Sequence, residues 1–497
     1  MADFSSVPVI DVHTGNVNKV WPMLMSAVKS SMFIALDIEM SGLGNRKKLF
    51  VKDMDDRYKN MCDVAKTRSI IAMGISCFQY MPLKDGKAAT STAENCNFLV
   101  QTFNLMLLST EPYTVDPVSL KFLLDHGFNF NMQYACGLPY TSSTKSTESS
   151  DMPSVQRLFD ELLLNKIPLV LHNGLMDLVF IYQCFHCQLP GNMSTFVTDL
   201  SNMFSGGLYD TKFLAEFQAR ISASYLEYVF RKCQRNNMDR LNSGLRCVTM
   251  SFLSFPTSPD LNFLPCGLHY LANSETKICE NYANHGWCAA GPDCTLSHDV
   301  DLIIDKETTI IEKKRRKRRR KRGHGGKEEM VEEQISTEQD NHNGNEDSMD
   351  CSESQPETNQ EDCATDETMD NECNSQGESP DNIAQDNPEG NPEDNRTNDS
   401  TSNEDTAPLI KEGRTGGHRA GFDAFMTGFA FAVYMATFTE VSSLPESAKI
   451  EDFDLGDLTN KLSLSGKDIP LQIMQSSFSK PSKAHKQRME KLRSSVK

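Results

Sequence analysis

Between Glu328 and Asp405 the chain carries 26 acidic residues against a single base, Arg396. No other feature limits its fold so strongly. A stretch this charged, nearly free of aromatic and branched side chains, cannot bury enough apolar surface to offset its ordering entropy. Residues 327–406 are therefore expected to be disordered, and whatever folds must be built from the two flanks of the 497-residue chain. Order is expected to resume at Ala407, where FMTGFAFAVYMATF reads as an apolar helix that must dock on an apolar surface. Two arrangements satisfy it: a small separate C-terminal domain, or completion of the domain that precedes the acidic stretch. Closure cost grows only logarithmically with loop length, so even an excursion of about 140 residues permits the second.

The net charge of −18 belongs to that segment, since the remainder of the chain sums to +7. Ten consecutive bases lie just before it, and 480–497 holds seven Lys or Arg against one Glu. Residues 1–270 alternate apolar strands (33–36, 69–78, 97–106, 168–172) with helical patterns (116–126, 154–165, 175–187, 210–219). That is an α/β pattern, long enough to bury a sizeable core. The second and third strands suggest a meander beside the first. Residues 141–151 read as a polar loop, 275–300 as a Cys/His module, 301–326 as a basic linker and 471–497 as a basic tail. The first residues lack the basic start and apolar core of a signal peptide. The longest apolar stretch, 425–438, is too short and interrupted to span a membrane. Fifteen scattered cysteines form no disulfide framework. The expectation is a soluble protein of a reducing compartment with no membrane contact.

In FIALDIEMSGL, Asp37 and Glu39 alternate with Ile38, so both carboxylates leave one face of a strand. Two carboxylates so close raise each other's pKa unless a cation sits between them, and hard Mg²⁺ with oxygen ligands is the natural guest. Alone, the pair also reads as a solvated strand end. Asp177 follows in IPLVLHNGLMDLVFIY near a helix start, where it reads equally as a helix-start charge. GHRAGFDAFMTG then brings His418 and Asp423 into the apolar helix. These two are chemically useless alone, which favours the helix completing the first domain, as residues 407–470 of it. Ser41, Gly42 and Leu43 follow the first pair, and form either an ordinary turn or a close approach to a terminal nucleotide. Asp210 reads as a capping residue rather than a ligand.

An Asp-x-Glu pair, then Asp, then His-x4-Asp, in that order, resembles the DEDD exonucleases. HNGLMDL, GFNFN (127–131), GLPY (137–140), YDTKFLA (209–215) and HRAGFDAFMTG resemble their poly(A)-specific ribonuclease branch, over roughly 1–270 and 405–470. The resemblance implies a ribonuclease-H-like fold with a mixed central sheet. It further implies that Asp37 bridges two Mg²⁺, that Glu39 and Asp423 complete the first site, and that Asp177 supports the second. His418 would be the general base, as its imidazole suits. Hydrolysis from single-stranded RNA 3′ ends with a preference for oligo(A) would follow, on small non-coding nuclear RNAs, releasing nucleoside 5′-monophosphates. An inactive RNA-binding adaptor and a DNA-directed exonuclease are the rival readings.

Cys279, Cys288, Cys294 and His298 have the spacing C-x8-C-x5-C-x3-H. Three thiolates and an imidazole suit one closed, structural Zn²⁺. The module resembles the CCCH fingers, and Tyr282 and Trp287 offer faces on which single-stranded bases could stack. RNA, or ribonucleoprotein particles, are its expected partners. Lys313, Lys314, Arg315, Arg316, Lys317, Arg318, Arg319, Arg320, Lys321 and Arg322 read as a nuclear localisation signal for an import receptor. Nothing in the sequence sets an oligomeric state.

Overall fold

The computed structural model describes residues 6–82, 95–142, 153–264, 277–323, 419–439, 444–445 and 447–494. The acidic segment 327–406 and His418 lie outside them. Met1–Arg320 and Glu412–Lys497 fall in one compact unit, and Lys321–Lys411 in a second that lies almost wholly outside the described residues.

The strands are β1 (Val7–Val12), β2 (Phe33–Met40), β3 (Ile70–Tyr80), β4 (Cys96–Ser109), β5 (Leu138–Tyr140) and β6 (Leu169–Leu171). They continue with β7 (Leu208–Asp210), β8 (Val248–Phe252), β9 (Leu261–Leu264), β10 (Lys461–Leu462) and β11 (Leu471–Gln472). One mixed sheet runs β11-β10-β7-β6-β2-β3-β4-β1-β9. Its centre is the antiparallel meander β2-β3-β4, and β6 joins β2 in parallel. The 14-residue β4 holds β3 on one edge; along the other it pairs in turn with β8, β1 and β5. The expected α/β class and meander are what the chain forms.

Alternation along β2 assigns the two faces of the sheet. Ile34, Leu36 and Ile38 join a core with Val17–Ser30, Met54–Thr67, Val155–Leu164, Leu175–Ile181 and Met193–Met203. Phe33 and Ala35 face the opposite core, formed with Leu226–Asn242 and the helix Ala420–Phe438. Side chains at 33, 35, 37 and 39 share a face, so both carboxylates of β2 point toward that last helix.

Every residue from Ala420 to Ala436 is buried. By length and composition this helix could cross a bilayer; its seat in the core accounts for an apolar surface on all sides. Burial of Phe422, Phe425, Phe429 and Phe431 contributes about 1.5–3 kcal/mol each, enough to hold the helix against the sheet. Close approach needs missing side chains beneath it. A Cβ at Gly74 of β3 would lie 1.8 Å from the Ala420 carbonyl oxygen, and one at Gly428 would lie 2.1 Å from the Phe78 ring.

Two stretches differ from their sequence reading. The expected basic linker is a helix, Val300–Gly323, whose first turns dock on Leu226–Asn242. Arg231 and Arg235 hold Asp301 at 2.5 and 2.8 Å, Arg235 holds Asp305 at 2.5 Å, and Lys232 holds Glu307 at 3.2 Å. The expected basic tail supplies β11 and the helix Lys483–Ser494. His485, Met489 and Leu492 recur at helical spacing and are buried, while Arg488 grips both Asp160 oxygens at 2.6 and 2.7 Å. Charge dominates that segment's composition, but it lies on the other face.

Candidate active site

Asp37 and Glu39 sit half-buried near the end of β2. The first turn of Ala420–Phe438 crosses β3 at Gly74, which pairs with Asp37, and so lowers Asp423 onto the same spot. Carboxylate oxygens of Asp37, Glu39 and Asp423 all lie within 4.8 Å of one another. The Asp423 amide donates to the Arg419 carbonyl at 2.9 Å. Asp177 occupies the first turn of Leu175–Ile181, close enough to act on Asp37 electrostatically. The structure thus brings together four of the five residues singled out for chemistry. His418, immediately before Arg419, is outside the described residues.

Burial, then the negative charges of Asp423, Glu39 and Asp177, hold the Asp37 carboxyl well above the usual carboxylate range. Burial pushes Asp177 up to about 7, with Asp210 adding to the shift and the backbone N–H groups of Asp177 and Ile38 opposing it. Acids so placed cannot all ionise unless a cation compensates them. An all-oxygen donor set of this density fits hard divalent ions such as Mg²⁺.

The neighbouring residues divide into ligand candidates and supports. Asp210 caps the turn Thr211–Phe213, accepting from the amides of Lys212 and Phe213, and from those of Asn173 at 2.9 Å and Ser463 at 3.0 Å. Four such donors occupy its carboxylate, so it braces the HNG turn. His172 in that turn meets Thr211 Oγ1 through Nδ1 at 2.9 Å, and burial drives its pKa down to about 3, leaving it neutral. Of the three residues expected at a nucleotide, Ser41 turns inward: its hydroxyl donates to the Thr114 carbonyl and accepts from the Ser69 amide. Gly42 is buried where a Cβ would strike the Asp116 carboxylate, and only Leu43 is exposed.

Sequence reading missed a polar clamp behind the helix start. Arg419 and Asn262 both pair with Asp11 of β1. Asn104 donates to Asp11 at 3.0 Å and accepts from the Gly421 amide at 3.1 Å. The clamp fixes the helix at the turn that carries Asp423. Its sequence trace is Asp11 in the otherwise apolar β1; Asn104 is one of several polar residues of β4, with Asn97, Gln101 and Thr102.

A family model for CAF1 family ribonuclease matches residues 12–152 and 142–431. The chain belongs to the CAF1 family of ribonucleases. Relatives include the pre-piRNA 3′-exonuclease trimmer of Bombyx mori, 26% identical over 38% of this chain and 31% of the relative. The poly(A)-specific ribonuclease PARN of Arabidopsis thaliana is 26% identical over 29% of this chain and 21% of the relative. The chain thus spans a third or less of those proteins. A solved structure of S. pombe Pop2p, in a form with bound Mg²⁺ and Mn²⁺, is 18% identical over 46% of this chain and 82% of that one, with a TM-score of 0.33.

Within the span matched to the CAF1 family lies the second donor cluster. Ligand atoms of Cys279, Cys288, Cys294 and His298 lie within 4.8 Å of one another. Thiolates around one tetrahedral Zn²⁺ would stand roughly 3.8 Å apart, a spacing compatible with this donor set. Tyr282 is not free to stack on bases. It is buried, with its ring parallel to His298 at 4.2 Å and its hydroxyl donating to Glu227 at 2.8 Å. A small apolar core of Ala223, Tyr228, Val300, Ile303 and Ile304 joins the module to the ribonuclease. Trp287 remains exposed.

Proposed function

We propose that this chain is a nuclear, Mg²⁺-dependent 3′→5′ exoribonuclease that shortens oligo(A) and other single-stranded 3′ tails of small non-coding RNAs. What carries the reading is the convergence of Asp37, Glu39 and Asp423, with Asp177 beside them, on one spot of the sheet. Asp37, Glu39 and Asp423, with Asp177 beside them, would hold the Mg²⁺. Bound Mg²⁺ supplies charge neutralisation at the phosphate and a more acidic water. His418 takes the proton of the attacking water on an imidazole nitrogen, and neutral His172 stays outside that transfer. Asp210 keeps the HNG turn, and hence Asp177, in place. The Cys279–His298 module holds one structural Zn²⁺, and the basic run 313–322 binds an import receptor. Relatives bearing the names of a trimmer and a poly(A)-specific ribonuclease support the 3′-end direction and the adenosine preference.

A 5′-labelled, A-tailed RNA and DNA of the same sequence, each incubated with the full chain and Mg²⁺, test this reading. A ladder shortening from the 3′ end of the RNA, much faster than on DNA, is expected. No Mg²⁺-dependent shortening would leave a binding protein on a ribonuclease scaffold; equal rates on DNA would overturn the RNA assignment.

A further inference from the structure

The turn after Glu39 and the Cys/His module meet at one exposed contact. The Arg46 guanidinium lies over the Trp287 ring, 5.5 Å from its centroid. Trp287 is 52% exposed, so this packing leaves much of the indole open. Arg46, Lys47 and Lys48 are consecutive, exposed and capped by Asn45, whose side chain accepts from the Lys47 amide at 2.9 Å. Phe50 follows, also 52% exposed, with the buried Arg57 5.3 Å from its ring centroid. The turn is rigidly tied: Asp116 accepts from the Gly44 amide at 2.7 Å and is gripped by Arg68 at 2.8 Å. Six residues lie between Glu39 and Arg46, so their Cα atoms stand at most about 25 Å apart.

Half-exposed indole and phenyl rings beside three cations suit a ligand that is both planar and anionic. Single-stranded nucleic acid is such a ligand: its bases stack on aromatic faces while its phosphates meet cations. We infer that Trp287, Arg46, Lys47, Lys48 and Phe50 form a strip that carries single-stranded RNA upstream of the 3′ nucleotide toward the Asp37–Asp423 cluster. The zinc module then serves as the far bank of the substrate path, through Trp287 and not through the buried Tyr282. This inference rests on the exoribonuclease reading for its direction, but its binding step does not need hydrolysis.

The chain has two tryptophans, so in a Trp21→Phe background Trp287 is the sole indole reporter. Full-length protein also carrying Asp37→Ala is titrated without chelator, so that zinc stays bound and RNA stays intact. Oligo(A) of about 20 nucleotides should quench Trp287, and bind at least about 10-fold more tightly than oligo(A) of about 4 nucleotides. Trp287→Ala should lower affinity for the longer RNA about 10-fold or more, with Trp287→Phe recovering most of it. Arg46→Ala should reduce the salt slope of binding by about 1. In the hydrolytically intact chain, Trp287→Ala should raise KM for the long RNA. Unchanged fluorescence on binding, or equal affinity in Trp287→Ala, overturns the strip. Quenching by RNA, together with no hydrolysis by the chain that keeps Asp37, would instead overturn the exoribonuclease reading and leave the strip standing.

Discussion

Asp37 gains nothing from ionising in the magnesium-free protein, because burial and three neighbouring carboxylates oppose it. An acid whose pKa is raised by folding holds its proton more tightly folded than unfolded. Its contribution is therefore intact at low pH and is lost as pH rises from the unfolded value of 3.8 through the folded one, about 7 for Asp177. Without Mg²⁺ the protein should melt several degrees lower at pH 8 than at pH 6, and added Mg²⁺ should raise the melting temperature more at pH 8. A magnesium gain independent of pH across that range would contradict the linkage. Asp37→Ala should slow hydrolysis by at least about 10²–10³-fold while raising the magnesium-free melting temperature, since it removes charge repulsion and no core packing. Near-normal hydrolysis rates in that variant would remove Asp37 from the chemistry. The four acids were singled out by their order, Asp-x-Glu, then Asp, then His-x4-Asp, which resembles the DEDD pattern, while each alone also read as an ordinary solvated or helix-start charge. Asp11, Asn104 and Arg419 were not, because a pair 408 positions apart announces itself only once the chain is folded.

The helix Ala420–Phe438 can deliver Asp423 only while its first turn lies flat on β3. Gly74→Ala puts a methyl 1.8 Å from the Ala420 carbonyl oxygen, where backbone and not a flexible side chain must yield. A cost of about 3 kcal/mol or more is expected, together with loss of hydrolysis, read by urea denaturation and by turnover. Gly191→Ala, with nothing within 4 Å, is the matched control and should be near neutral. Equal denaturation midpoints for the two would show that the helix sits elsewhere. Long apolar runs made β2, β3, β4 and this helix readable. The three-residue strands β6 and β7 are too short to show a period, although the longer apolar run around β6 marks its place. In Lys483–Ser494 the buried Met489 and Leu492 are outnumbered by bases that conceal the pattern.

At the scale of the whole molecule, the Cys/His module is a short segment of its own in the sequence, yet it packs into the ribonuclease. Tyr228 and Ile304 close a shared core, and Arg231, Arg235 and Lys232 tie the following helix down. If the module holds zinc as proposed, Cys288→Ser should abolish zinc binding, measured by metal analysis, and also lower the main unfolding transition, since the loss reaches Leu226–Asn242 beneath Ala420–Phe438. Zinc content equal to wild type would refute the ligand set. The sequence showed the donors but not the docking, which depends on charge pairs about 70 positions apart. The two halves of the carboxylate cluster are made at very different times. Asp37, Glu39 and Asp177 leave the ribosome early, and the zinc module follows. The polymer must then grow through the whole acidic stretch before Asp423 exists, on the order of ten seconds at ordinary synthesis rates. During that interval the face of β2 and β3 waits for its covering helix, and the nascent chain lacks Asp423, the third carboxylate of the cluster. On the exoribonuclease reading, the full carboxylate set is therefore assembled only after synthesis has passed Asp423.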